Sequence, residues 1–331
     1  MSGKGILDVP GIGAAHATDE KGVTGCTVIV APKGAVAGVD VRGSAPGTRE
    51  TDVLNPINLV SQVHAICLCG GSAFGLDAAS GVMKRLAESG IGLNVGVGVV
   101  PIVPAAVLFD LALGPVSHPS SDMGYHAASE ALASVGSPDA RLTQGNVGAG
   151  CGATVGKVLG MTRAMKSGIG HASRQLPGDL IVAAVIAVNA VGQVRIPEGD
   201  ILLAGCRGDD NQILNSMECL IRRQRVDVPP GTNTTIGIVA TNARLTKVQA
   251  TKVAQMAHDG LARCILPVHT MHDGDTIFAM ATGEVEASVD LVGAIAAEVV
   301  SEAIVFAVKS ARSCQGLPAW WDLLGPGKPQ D

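Results

Sequence analysis

The stretch Pro229-Pro230-Gly231-Thr232-Asn233-Thr234-Thr235-Ile236-Gly237-Ile238-Val239-Ala240 sets a polar triplet between a Pro-Gly turn and an apolar run. Prolines followed by glycine mark a turn, and Ile236 to Ala240 is expected to be a strand. The hydroxyl of Thr234 therefore stands where a buried element begins. Two readings fit. Asn and Thr are ordinary residues at a turn or strand start. Alternatively, a chain cut between Asn233 and Thr234 would expose Thr234 as a new N-terminus, with a hydroxyl nucleophile and an amine base on one residue. Such an amine has an unperturbed pKa of roughly 7.7 to 8, so an appreciable fraction accepts the hydroxyl proton near neutral pH.

Downstream, His269-Thr270-Met271-His272-Asp273-Gly274-Asp275-Thr276 leads into the apolar run Ile277-Phe278-Ala279-Met280-Ala281. Asp273 and Asp275 flank a glycine, which is common in a solvated turn. They can equally form an acidic pair that orients the amine and hydroxyl of Thr234 and tunes their protonation. Two His and two Asp could also offer metal ligands, but their spacing matches no helix-borne zinc signature, and no metal is expected.

Further blocks extend the pattern: Asp40-Val41-Arg42-Gly43 with Gly47-Thr48-Arg49-Glu50-Thr51, Gly70-Gly71-Ser72-Ala73-Phe74-Gly75-Leu76, Gly148-Ala149-Gly150 with Gly156-Lys157, and Val188-Asn189-Ala190-Val191-Gly192. With the Asn233-Thr234-Thr235-Ile236 junction and Asp273-Gly274-Asp275-Thr276, these make six blocks over nearly the whole chain. In this order they resemble the self-cleaving, N-terminal-nucleophile-type amidohydrolases. That family includes L-aminopeptidase D-amidase/esterases, β-aminopeptidases and nylon-oligomer (6-aminohexanoate oligomer) hydrolases, the last branch being nearest in motifs. The resemblance implies a four-layer α-β-β-α sandwich. It implies a precursor cut before Thr234 into an α subunit, 1–233, and a β subunit, 234–331, that stay together in a homo-oligomer, a tetramer of such heterodimers. It also implies an amide-bond hydrolase acting on small peptides, amino-acid amides or 6-aminohexanoate oligomers, without a cofactor.

By the same resemblance, Thr234 is the nucleophile, Asn189 donates its side-chain amide to the oxyanion, and Lys157 supplies positive charge that keeps the Thr234 amine neutral. Read alone, Asn189 would be a strand-end turn residue and Lys157 a solvated surface lysine. The chain departs from its relatives at one point. A tyrosine near their site corresponds to Phe109 here, within Leu108-Phe109-Asp110-Leu111. The substrate pocket then lacks a phenol. Tyr125, the sole tyrosine, could replace it in space or simply cover the core at a helix start.

Composition agrees with an α/β protein. The 331 residues are 47% hydrophobic but only 2% aromatic, with 43 glycines, so the core must be built from small aliphatic side chains packed closely in layers. A net charge of -5 without a basic run argues against nucleic acid or an anionic membrane as partner. Eight scattered cysteines, with Cys67 and Cys69 the sole close pair and not in Cys-x-x-Cys spacing, are expected to be small buried hydrophobes. Met1-Ser2-Gly3-Lys4-Gly5-Ile6 holds no apolar signal core, and Leu180 to Val188 is too short to span a bilayer. A cytoplasmic, reduced protein is expected.

One domain covering 1–331 is expected, alternating strands and helices. Strands are expected at Cys26 to Ala31, Ala65 to Leu68, Asp179 to Val188 and Ile236 to Ala240. Helices are expected at Phe74 to Ser89, Gly124 to Val135, Lys247 to Arg263 and Asp290 to Ser310; the third opens with Thr246 and Gln249 in capping-box spacing. The tail 312–331 holds both tryptophans, Trp320 and Trp321, which would dock on a neighbouring subunit or fold over the chain's own core.

Gly148-Ala149-Gly150-Cys151-Gly152-Ala153 matches a Gly-x-Gly-x-x-Ala dinucleotide fingerprint but lacks its preceding strand and following acidic ribose partner. Gly156-Lys157 lacks the other residues of a phosphate loop, and Gly70 to Phe74 misses the nucleophile elbow. Close backbone packing is the better reading. The alternatives to a self-cleaving hydrolase are thus an uncleaved, non-catalytic metabolite-binding protein of the same fold and, with less support, a nucleotide-dependent oxidoreductase.

Overall fold

The structure, a computed structural model, describes residues 5–229 and 231–325; Pro230 of the expected turn and the end of the 312–331 tail lie outside them. After a 3-10 turn over Gly5–Asp8 comes a hairpin, β1 (Gly13–Asp19) against the first part of β2 (Thr24–Val41). The other principal strands are β3 (Val63–Cys69), β4 (Ala105–Val107), β5 (Ile169–Gln175), β6 (Ile181–Asn189), β7 (Thr234–Ala243) and β8 (Thr276–Val285). The principal helices are α1 (Asp77–Glu88), α2 (Ser121–Ser134), α3 (Ser216–Arg223), α4 (Lys247–Cys264) and α5 (Val289–Ser310).

Strand order is β5-β6-β7-β8-β2-β3-β4, with Thr48–Arg49 beyond β4 and β1 pairing β2. β7 runs parallel to β8, and β3 to β4. The register of β2 on β3 shifts between Val30 and Ala35, beyond which Val36 to Val41 pair with β8 instead. One strand therefore belongs to two sheets, and burial shows that those sheets face each other. Because side chains alternate along a strand, each strand serves two layers. Val28, Val30, Ala65 and Cys67 pack with Val82 of α1 and Ala127 of α2. Ile29, Ile66 and Leu68 meet Val185, Ile236, Ile238 and Phe278 between the sheets. Val182, Ala184, Val239 and Ile277 meet Val253 and Leu261 of α4 and Val299 and Ala303 of α5. This is the expected four-layer α-β-β-α sandwich.

Small residues let these layers approach. A Cβ on Gly81 would lie 1.7 Å from the Ser121 oxygen and one on Gly124 1.9 Å from the Ala78 oxygen, so α1 and α2 cross at backbone contact. The helix expected from Phe74 begins at Asp77, after a tight turn over Ser72–Leu76. The strand expected from Asp179 begins at Ile181, because Asp179 takes a left-handed turn conformation at φ 59°. The capping box of Thr246 and Gln249 is formed. α5 is long and apolar enough to cross a membrane, the sole such helix among the described residues, but most of it is buried here against α4, β5 and β6. As for the tail, Trp321 Nε1 donates to the Lys309 oxygen at 2.7 Å and Trp320 packs on the core, so this segment folds over its own α5.

Candidate active site

β7 starts at Thr234, and its neighbours on either side bring the chemistry together. On one side Thr234 lies opposite Asn189, the last residue of β6. On the other, Asn233 bridges Asp273 just before β8. Asn233 is fully buried and Thr234 is 3% exposed, so the bond between them lies inside the protein. The Thr234 hydroxyl donates to the Asn233 carbonyl oxygen, and the Gly274 amide donates to that same oxygen at 3.0 Å. A carbonyl that accepts an N–H is polarised, and here the hydroxyl best placed to attack it belongs to the next residue. Gly274 must be glycine: a Cβ would lie 2.6 Å from the Ala45 oxygen and 2.9 Å from Thr234 Oγ.

The aspartates grip the backbone around this bond. Asp275 Oδ1 accepts from the Thr235 amide at 2.7 Å, and Oδ2 accepts from the His269 amide at 3.2 Å and faces His269 Nδ1 at 2.8 Å. Asp273 Oδ1 accepts from the Val191 amide at 3.3 Å, while Oδ2 accepts from the amide and hydroxyl of Thr270 at 3.1 and 2.6 Å. Burial, and then the like charge of Asp275, push the Asp273 carboxyl up to about 6. In the intact chain both acids thus hold the main chain beside Thr234 rather than its hydroxyl.

Lys157 is 2% exposed, unlike the solvated lysine its sequence context suggests. Its Nζ donates to Asn189 Oδ1 at 2.7 Å and to the Asn189 carbonyl at 3.2 Å. Burial holds this amine down at about 7, against the pull of Asp273 and Asp110. Asn189 Oδ1 also accepts from the Thr154 amide at 3.1 Å, which fixes which end of the side-chain amide is oxygen. Its Nδ2 donates to the Phe109 carbonyl at 2.9 Å and retains a second hydrogen for a developing oxyanion.

Phe109 and Lys157 line a small cavity of about 140 Å³ with Asp110, Thr154, Val228 and Thr232. Tyr125 is not brought there, which corrects the expectation that it could replace the missing phenol in the substrate pocket. It lies on α2, where its hydroxyl donates to Glu88 at 2.7 Å and its ring faces Lys84 and Arg85. Asp110 is the residue sequence reasoning missed. Its carboxyl is buried in the cavity wall, accepts from the Gly71 amide at 2.6 Å and is pushed up to about 6 by burial. The only signal was its adjacency to Phe109. The Gly148–Gly150 block forms a tight turn packed on the Ile169 backbone, as close packing requires. No group of three or more His, Cys, Asp or Glu able to hold a metal occurs among the described residues.

The architecture is that of the N-terminal-nucleophile hydrolases. A Burkholderia β-aminopeptidase superposes with a TM-score of 0.65 at 22% identity, covering 97% of this chain and 92% of that one. The L-aminopeptidase D-Ala-esterase/amidase of Ochrobactrum anthropi, described as a variant of the Ntn hydrolase fold, gives 0.68 at 18% identity over 96% and 90%. The chain also matches the pattern of peptidase family S58 over residues 4–319. An uncharacterised aminopeptidase of Mycobacterium leprae is 42% identical over 89% of this chain and 85% of its own length. A 6-aminohexanoate-oligomer endohydrolase of Kocuria sp. is 32% identical over 92% and 85%. The chain belongs to peptidase family S58 and is an amide-bond hydrolase.

Proposed function

We propose that the chain is a precursor that cuts itself between Asn233 and Thr234 into subunits 1–233 and 234–331, and that the freed Thr234 then hydrolyses amide bonds of short substrates. The observation that carries this reading is the Asn233 carbonyl held between the Thr234 hydroxyl and the Gly274 amide. Thr234 Oγ attacks that carbonyl carbon, and the Gly274 N–H stabilises the oxygen as it becomes negative. The C–N bond breaks, the amine leaves protonated, and an ester joins Asn233 to Thr234 Oγ. Water hydrolyses the ester, leaving the Asn233 carboxylate and a free Thr234 amine.

The same hydroxyl then attacks the substrate carbonyl and gives its proton to the amine. The second N–H of Asn189 meets the oxyanion, and the buried charge of Lys157 behind Asn189 disfavours a charged amine on Thr234. The leaving amine takes the proton, and water releases the acyl group. Substrates are peptides, amino-acid amides or linear 6-aminohexanoate oligomers, in keeping with a small cavity beside the junction and with relatives named for such substrates. Incubating the cleaved protein with aminoacyl p-nitroanilides and a linear 6-aminohexanoate trimer tests this. Release from at least one class, lost in Thr234→Ala, is expected; no turnover of any would refute it.

Eight cysteines without disulfides support a reducing, cytoplasmic setting. The apolar side chains of Ile57, Leu59 and Val97, each at least 87% exposed, support assembly into a homo-oligomer such as a tetramer of heterodimers.

A further inference from the structure

Behind the carboxylate pair lies a histidine that the reaction as described leaves unused. His269 takes a left-handed backbone conformation, φ 56°, which turns both its amide and its imidazole toward one carboxylate oxygen. The amide lies 3.2 Å and Nδ1 2.8 Å from Asp275 Oδ2. The other oxygen of Asp275 holds the Thr235 amide at 2.7 Å. A carboxylate only accepts, so Nδ1 carries the hydrogen, and His269, Asp275 and Thr235 form one continuous link to the residue that follows the nucleophile.

The surroundings fix that imidazole. His258, fully buried on α4, packs edge-on against it with ring centroids 4.8 Å apart. His258 Nε2 donates to the Asp40 carbonyl at 3.0 Å, and burial holds this ring down at about 4, so it is neutral. Asp40 and Arg42, at the end of β2, face His258 and pair with each other at 2.8 Å. The charged and titratable groups near His269 are Asp275, Asp273 and His272 from its own turn and His258 from α4, with the Asp40–Arg42 pair on the far side of His258. Asp275 is the one that contacts its side chain through a hydrogen bond.

We propose that His269 is a positioning residue for self-cleavage. Through Asp275 it clamps the Thr235 amide, and so holds the Thr234 hydroxyl against the Asn233 carbonyl. The inference rests on the self-cleavage reading. Removing the imidazole leaves Asp275 with one donor fewer, so its charge bears more heavily on Asp273, whose raised carboxyl rises further, and the clamp loosens. Asparagine should replace histidine, since its amide nitrogen sits near the place of Nδ1 and Asn tolerates the left-handed conformation. Glutamine places its amide nitrogen nearer to Nε2 and should not.

The test follows self-cleavage of newly translated full-length chain by pulse-chase between pH 5 and 9, for wild type, Thr234→Ala, His269→Ala, His269→Asn and His269→Gln. Loss of a hydrogen bond to a charged group should slow His269→Ala and His269→Gln by about tenfold or more and move their acid limb to higher pH. His269→Asn should stay within about threefold of wild type, with its pH profile unmoved. Equal rates in wild type and His269→Ala would overturn the proposal. So would an equal loss in His269→Asn and His269→Gln with an unshifted profile, which marks a merely structural role. A wild-type chain that stays whole, like Thr234→Ala, would instead overturn self-cleavage itself, and this inference with it.

Discussion

The Gly274 amide donates at 3.0 Å to the Asn233 carbonyl oxygen, the atom that also receives the hydroxyl of Thr234. The Asn233–Thr234 peptide bond is thus polarised by a backbone amide of the turn that carries Asp273 and Asp275, beside the Thr234 hydroxyl. That turn is itself anchored, since the Asp273 and Asp275 carbonyls accept from the amides of Ala45, Arg42 and Gly43.

Gly274→Ala should therefore accumulate uncleaved precursor. Its Cβ would lie 2.9 Å from Thr234 Oγ and 2.6 Å from the Ala45 oxygen, so the turn must shift and take the donor with it. Loss of one such donor costs about 10² to 10³ in rate in other hydrolases. Gel densitometry of chain purified at timed intervals measures it.

Asn189→Asp keeps an acceptor for Lys157 and the Thr154 amide but has no N–H to offer. Turnover of an amide substrate should fall by about 10² to 10³ in kcat. The fold should persist, because the buried ammonium keeps its partner. Steady-state kinetics together with a thermal melt separate the two effects.

Phe109→Tyr adds a hydroxyl beside a cavity of about 140 Å³, large enough to take it. With that hydroxyl in reach of the substrate, kcat/KM on small amide substrates should rise by about tenfold, the scale of one added hydrogen bond to a charged transition state. Self-cleavage should be little changed, since the proposed attack of Thr234 on the Asn233 carbonyl draws its donor from Gly274. Comparing both rates in one preparation checks this.

The pH dependence follows from two buried groups. Burial lowers Lys157 to about 7, so the folded chain sheds this proton before the unfolded chain does. Its stabilising contribution is present above the unfolded value and is lost as pH falls through about 7. Stability should thus rise between pH 7 and 9 by up to about 1.4 kcal/mol per unit, and Lys157→Met should flatten the rise. Asp273 has the opposite sign: its carboxyl, raised to about 6, contributes stability at low pH that is lost as pH rises through that value. Self-cleavage should accelerate over the same range as Asp273 ionises. Denaturant titrations and cleavage rates from pH 4.5 to 9 read out both.

Much of the layer architecture was legible because β6 and β7 are buried on both faces and so read as unbroken apolar runs. The second half of β2 was not, since Pro32, Lys33 and Gly34 read as a break where the strand in fact bends from one sheet into the other. β1, with the sequence GAAHATD, and β5, with IGHASRQ, are partly exposed and polar, and offered no clear alternation. At the site, Thr234 and the acidic pair could be picked out by residue type. The pairing of Asn189 with Thr234 depends on strand register, and the Gly274 donor is a backbone group that no side chain announces. Lys157 looked solvated because nothing in Gly156-Lys157 foretells the carbonyl and amide oxygens of Asn189 that receive it.

The most direct test of self-cleavage is the intact mass of the purified protein under denaturing conditions, wild type beside Thr234→Ala. Two fragments matching 1–233 and 234–331 in wild type, with one chain of 33.3 kDa in the variant, is the predicted result. A single full-length chain in both after prolonged incubation would contradict it.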